Sequence, residues 1–272
     1  MELKVEDFSL DSTLTSGQTF FWRKLDDFWV TSFDKPVKIK QDHDRLEYYG
    51  CTEEYIRKLL GLKDDISSIK TELDKDDFID RAINYSTGLR VVNEGLWPAT
   101  LGFILSIQSN VPLIQRRVIA LSEAYGEAKE MEGSKIYSFP DYVKIFESGI
   151  DKLKCFKLGF RTRFVMSAAE YFYKHNMSES LPLEDIKKRL LDIDGIGDKV
   201  LDCVMLYGMH DLSAFPMDVW ILRVIDKYYS KLIRAAKSYK SKREIMTSYF
   251  GKYAGYAQLF MYNYSRLNST WK

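Results

Sequence analysis

Lys199 and Asp218, 19 residues apart, could together carry out covalent chemistry on an electrophilic carbon. Lys199 follows Asp194-Gly195-Ile196-Gly197-Asp198, a Gly-X-Gly stretch that reads as a tight hairpin between two helices. Glycines there let the backbone approach a ligand closely, and the next helix opens with unpaired N–H groups and the positive end of its dipole. The amides around Gly195 and Gly197 are therefore expected to hold phosphate. A lysine in that first turn sits where the dipole disfavours positive charge, and a desolvated amine at such a place is available as a nucleophile. Asp218, in Ala214-Phe215-Pro216-Met217-Asp218-Val219-Trp220, is expected with Pro216 in the opening turn of another helix, where free N–H groups favour the ionised carboxylate. Such a group can stabilise developing positive charge and move protons to and from an amine. Taken singly, the same features also fit a turn between packed helices, a lysine touching phosphate and a helix-capping Asp.

Periodicity predicts the elements that must position these residues. In residues 1 to about 75, Phe20-Phe21-Trp22-Arg23, Phe28-Trp29-Val30-Thr31-Ser32-Phe33 and Val37-Lys38-Ile39-Lys40 have strand character and are separated by turn-prone Asp-Asp and Asp-Lys-Pro, predicting an antiparallel sheet with one or two helices. From about 76 onward, apolar residues recur at helical spacing over 99–108, 112–125, 164–175, 183–192, 198–208, 217–229 and 253–264. Met131-Glu132-Gly133-Ser134 reads as a plain connecting loop. The expected class is α+β: an N-terminal antiparallel sheet subdomain (1–75), a helical subdomain (76–180) and a helix-hairpin-helix catalytic subdomain (181–272).

Composition narrows the function classes. The 272 residues are 46% hydrophobic with a net charge of +1, so any contact with a polyanion must be local. Cys51, Cys155 and Cys203 are too few and too scattered for a disulfide framework, a zinc site or an iron–sulfur cluster. No apolar run approaches the roughly 18 residues of a membrane span, and the N-terminus lacks a secretion signal, so an intracellular place is expected: cytoplasmic in a prokaryote, nuclear in a eukaryote.

The Gly-rich hairpin, the lysine and the Pro-X-Asp at that interval together resemble the helix-hairpin-helix DNA glycosylase superfamily. Three further stretches are similar to its 8-oxoguanine DNA glycosylase branch, and the likeness covers nearly the whole chain. The first is Ser16-Gly17-Gln18-Thr19-Phe20-Phe21-Trp22-Arg23, where the resemblance assigns the Gly17 carbonyl to the N7–H that 8-oxoguanine has and guanine lacks. The second, Tyr253-Ala254-Gly255-Tyr256-Ala257-Gln258, implies that Gln258 reads the Watson–Crick edge of a flipped base and that Tyr262, one helical turn on, stacks on it; Cys203 would lie on the base's other side. The third, Leu158-Gly159-Phe160-Arg161-Thr162-Arg163, implies a wedge at Phe160 and an arginine at Arg161 that reads the opposite cytosine, within a basic patch that includes Lys154 and Lys157.

Departures accompany the matches. Gln108 stands where the family has the asparagine that fills the gap left by the flipped base, Leu113 where it has a second opposite-base arginine, and Trp220 where it has a histidine. The loss of that arginine predicts a weaker preference for cytosine opposite the lesion. The resemblance implies a monomeric glycosylase with lyase activity acting on double-stranded DNA that contains oxidised guanine. It would work through a Schiff base at Lys199 with Asp218 as partner. No organic cofactor and no metal site are expected, although hairpin carbonyls could hold an ion. The alternatives are a glycosylase for another damaged base, which commonly lacks the lysine, and a non-catalytic helix-hairpin-helix DNA-binding protein.

Overall fold

The computed structural model describes residues 1–131 and 134–268. The chain opens with β1 (Glu2–Lys4) and α1 (Leu10–Thr15), followed by β2 (Arg23–Leu25), β3 (Phe28–Ser32), β4 (Pro36–Asp42) and β5 (Arg45–Tyr49). These strands form one antiparallel sheet in the order β1-β5-β4-β3-β2. Alternation sets its face: Val37 and Ile39 of β4 and Leu46 and Tyr48 of β5 point inward, with Ile39 directly opposite Tyr48. The turns fall where the Asp-rich stretches lie, with Asp26 and His43 at positive φ.

Phe20-Phe21-Trp22 departs from the expected strand, because pairing with β3 begins only at Arg23. Three consecutive large apolar side chains cannot all face inward from a pleated strand. In irregular chain all three are buried, with Phe20 against Phe103 and Phe21 against Phe139. Residues 1–75 also hold more helix than the pattern suggests, since α2 (Glu53–Leu59) and α3 (Ile66–Leu73) join α1.

The helical body runs through α4 (Asp77–Tyr85), α5 (Leu96–Ser106) and α6 (Val111–Tyr125). It is interrupted by β6 (Ala128–Met131) and β7 (Ser134–Tyr137), then resumes with α7 (Tyr142–Lys154), α8 (Arg161–His175) and α9 (Leu183–Leu191). The last helices are α10 (Asp198–Met209), α11 (Val219–Tyr228), α12 (Tyr239–Phe250) and α13 (Ala254–Asn268). The presumed loop around Met131 and Ser134 is thus the tip of a hairpin, with Met131 paired to Ser134; Glu132 and Gly133 lie outside the described residues. Its strands are too short to show alternation. Long-range contact completes it, because β7 packs on β3 and the Phe139 N–H donates to the Ser32 carbonyl at 2.6 Å just beyond.

One contiguous apolar core joins sheet and helices. At its centre lies α5, whose Leu96, Leu101, Phe103, Ile104 and Leu105 are all buried, the mark of a helix surrounded on every side. Small residues set how closely its neighbours approach. A Cβ on Gly208 of α10 would lie 2.7 Å from the Ala99 Cβ of α5, and one on Gly255 of α13 would lie 2.3 Å from Leu206 Cδ1 of α10. These two glycines bring α5, α10 and α13 together, and all three line the cavity described next. Among the described residues no helix is long and apolar enough to cross a membrane.

Candidate active site

The hairpin forms between α9 and α10. Gly195 has φ +90°, and a Cβ there would fall 2.5 Å from the Phe164 ring, so only glycine fits. Gly197 is extended backbone capping α10, exposed and with open space around it. Its value is access: the N–H groups of the first turn of a 12-residue helix face outward without a side-chain cap.

A cavity of about 710 Å³ opens beside this helix. Its walls include Gly17, Gln108, Gly195, Lys199, Cys203, Asp218, Gln258 and Tyr262, eight of the positions marked in the sequence, whereas Gly197, Phe160 and Arg161 lie off it. Lys199 is half-buried, with Nζ 5.4 Å from the centroid of the Phe103 ring. Asp218 is the N-cap of α11 and accepts the Ile221 N–H at 2.9 Å. The helix therefore opens at Val219, and Pro216 precedes it as a buried strap rather than sitting in its first turn. The expectation that helix amides would favour the Asp218 anion is also only half right. Burial raises this carboxyl above its ordinary range, outweighing the Ile221 N–H and the Lys199 charge that act in the other direction.

The remaining walls suit a flat ligand. Burial pushes the Cys203 thiol up to about 11, against the pull of the Lys199 charge, so it presents a neutral sulfur. The Tyr262 phenol is pushed up to about 12, first by burial and then by Asp218. Across from it Gly17 holds φ +93°, and a Cβ there would stand 3.3 Å from the Tyr262 hydroxyl. Gln18 fixes this loop, because its amide Nε2 donates to the Arg90 carbonyl at 2.8 Å and its Oε1 accepts the Val92 N–H at 3.0 Å. Gln258 and Tyr262 share one face of α13, as their spacing requires.

Three important residues escape the sequence. Tyr207 lines the cavity and donates its hydroxyl to Gln258 Oε1 at 3.1 Å; its place two turns beyond Lys199 on α10 was the available signal. Asp202 and Tyr239 form a brace. The Tyr239 hydroxyl accepts the Met217 N–H at 3.0 Å and donates to Asp202 Oδ2 at 3.1 Å, while Arg243 donates to Asp202 Oδ1 at 2.9 Å. The Lys199 helix is thus tied to the strap that carries Asp218.

The far rim differs most from expectation. Arg161 is buried, and its guanidinium donates to the Ile107 carbonyl at 2.7 Å, to Gln108 at 2.8 Å and to Leu158 at 3.3 Å. Instead of facing outward toward a base, it clamps the turn in which Gln108 adopts φ +48°. Arg117 supports the same turn by donating to Ser109 Oγ at 3.1 Å. Phe160 is exposed beneath the Arg161 guanidinium, 4.4 Å from ring centroid to cation, and Leu113 is exposed on α6. The neighbouring basic patch is weaker than it reads, because Lys154 pairs with Asp151 at 2.6 Å. Among the described residues, no group of three or more His, Cys, Asp or Glu side chains could hold a metal ion.

Comparison with known proteins points to one family. Residues 1–99 match the model of the 8-oxoguanine DNA glycosylase N-terminal domain. A probable N-glycosylase/DNA lyase of Methanothermobacter thermautotrophicus is 23% identical across 98% of this chain and 96% of its own. The 8-oxoguanine glycosylase/lyase of Clostridium acetobutylicum, in complex with double-stranded DNA containing cytosine opposite 8-oxoguanine, superposes with a TM-score of 0.88 at 26% identity, covering 97% of this chain and 93% of that one. The 3-methyladenine DNA glycosylase of Archaeoglobus fulgidus shares the fold alone, with a TM-score of 0.79 at 17% identity. In its N-terminal 99 residues, in its sequence as a whole and in its fold, the chain is similar to 8-oxoguanine DNA glycosylases and N-glycosylase/DNA lyases.

Proposed function

We propose that this chain is a bifunctional DNA glycosylase and abasic-site lyase that removes 8-oxoguanine from duplex DNA. One observation carries the reading: Lys199 and Asp218 border a single cavity whose other walls are Gly17, Cys203, Gln258 and Tyr262. The amides at Gly195 and Gly197 grip a phosphate, and the damaged nucleotide swings out of the stack into the cavity, with Gln108 entering the space it leaves. Flipping costs a few kcal/mol, which stacking at about 1–3 kcal/mol per base and phosphate contacts offset. Cys203 and Tyr262 enclose the base, Gln258 meets its Watson–Crick edge, and the Gly17 carbonyl accepts N7–H. Undamaged guanine has no such proton, so the half-buried carbonyl, once covered by the bound base, would lack a partner, a penalty of about 1–3 kcal/mol.

Lys199 Nζ then bonds to C1′ as the C1′–N9 bond breaks, and the base departs with the electron pair and takes up a proton. Asp218, at the helix end beside the reacting sugar, stabilises the positive charge that develops there and accepts a proton from the attacking amine. Opening of the sugar gives an imine between Lys199 and C1′. Loss of a 2′ proton from this imine expels the 3′ phosphate by β-elimination and nicks the strand.

Duplexes carrying 8-oxoguanine, guanine or an alkylated purine at one position, resolved on a denaturing gel, test this reading. Nicking at 8-oxoguanine alone is expected. Removal of the alkylated purine without nicking would assign the protein to a different lesion, and tight binding without any cleavage would make it a binding module.

A further inference from the structure

Tyr207 takes no part in the mechanism above, yet it stands at the inner wall of the cavity. Its ring is buried and stacked on Phe103, with centroids 5.4 Å apart and planes at 21°. Among the described residues its hydroxyl has one hydrogen-bond partner, Gln258 Oε1 at 3.1 Å. It lies one turn beyond Cys203 on α10, so Lys199, Cys203 and Tyr207 follow each other along one helical face.

We infer that Tyr207 fixes which way the Gln258 amide faces the base, and so makes the cavity selective for a guanine-type over an adenine-type edge. The inference rests on Gln258 being the residue that reads the base. A carboxamide has an acceptor end and a donor end, and unless something holds it, it can turn over and present either. A guanine-type edge offers N1–H beside the O6 acceptor; an adenine-type edge offers the N1 acceptor beside N6–H. With the tyrosine O–H on one lone pair of Oε1, the other lone pair meets N1–H and the Nε2 protons meet O6. The reversed amide would set Nε2 against the hydroxyl and leave the phenolic proton without an acceptor in a buried site. The stacked ring prevents the hydroxyl from moving elsewhere. Burial raises the phenol well above its ordinary range, which keeps that proton in place at working pH.

The test compares excision of 8-oxoguanine with excision of 8-oxoadenine. Both bases carry N7–H and O8, so the Gly17 contact cancels and the ratio of rates reports the Watson–Crick edge. Single-turnover rates are measured for wild type, Tyr207→Phe, Gln258→Ala and the double variant, each normalised to the fraction that borohydride traps on a preformed abasic duplex, so that folding losses drop out. The expected result is a fall in the ratio of about tenfold for Tyr207→Phe. Gln258→Ala lowers it at least as far, and the double variant falls no further than Gln258→Ala. An unchanged ratio in Tyr207→Phe with a lowered one in Gln258→Ala would overturn the orienting role and leave the base-reading role standing. Additive losses in the double variant would also overturn it, since Tyr207 would then act apart from the amide. An unchanged ratio in Gln258→Ala would remove the base reader itself, and this inference with it.

Discussion

The two ends of the cavity are held in different ways. At the hairpin end, Lys199 stands in the first turn of α10, and Asp218 caps the first turn of α11 through a bond only three residues long. At the rim, Gln108 keeps its left-handed conformation in a turn whose clamp, Arg161, comes from 53 residues further along the chain. Chemistry placed on helix starts is fixed locally. The rim is fixed by tertiary contact, so substitutions at the two ends should fail differently: the first in rate, the second in stability.

Asp218→Asn should have the largest effect. Asparagine caps a helix as well as aspartate, so thermal stability should hardly change, while base excision slows on the order of several hundredfold because the charge opposite the reacting sugar is gone. Single-turnover kinetics beside a melting curve measure both, and a large fall in stability would erase the contrast between the ends. Arg161→Ala should behave in the opposite way. It leaves the Ile107, Gln108 and Leu158 carbonyls without their donor and should lower stability by about 3 kcal/mol in urea denaturation. Unaltered stability would mean that the arginine is free to read the opposite base.

The brace behind Lys199 and Asp218 sharpens the comparison through pH. Burial pushes the Asp202 carboxyl up from 3.8 to about 6, against the opposing effect of Arg243 and Tyr239, so folding favours its protonated form. Its contribution to stability is greatest below about pH 4 and is lost as pH rises through 6. From pH 4 to 7 the stability difference should therefore move by about 2 kcal/mol in favour of Asp202→Asn over wild type, read from denaturation at each pH. A pH-independent difference would remove the titrating brace. Leu113→Arg should have the smallest effect. Restoring a guanidinium at the rim should raise the preference for cytosine opposite the lesion by about fivefold, measured as relative cleavage rates with the four opposite bases.

Much of the hairpin end is legible in the sequence because its signals are local. Gly195, Lys199 and Asp218 declare themselves by turn chemistry and helix position, and periodicity locates the helices that carry them. Even there, the direction of the Asp218 shift depends on burial, which spacing does not reveal. Elsewhere, decisive contacts cross the chain. The β6–β7 hairpin depends on β3 and the chain beside it, Arg161 finds carbonyls on the α5–α6 turn, and Tyr239 reaches back to Asp202. Phe20-Phe21-Trp22 has strand composition, yet its side chains fill the space between sheet and helices. Tyr207 is intermediate, since its helical phase was visible and its bond to Gln258 on a distant helix was not.

Everything in this account depends on the amine at position 199 reaching C1′. Borohydride reduction during turnover on an 8-oxoguanine duplex, followed by proteolysis and mass spectrometry of the cross-linked peptide, tests this directly. The adduct should map to Lys199 and vanish in Lys199→Gln. A sugar remnant on any other residue, or an adduct that survives this substitution, would contradict the account.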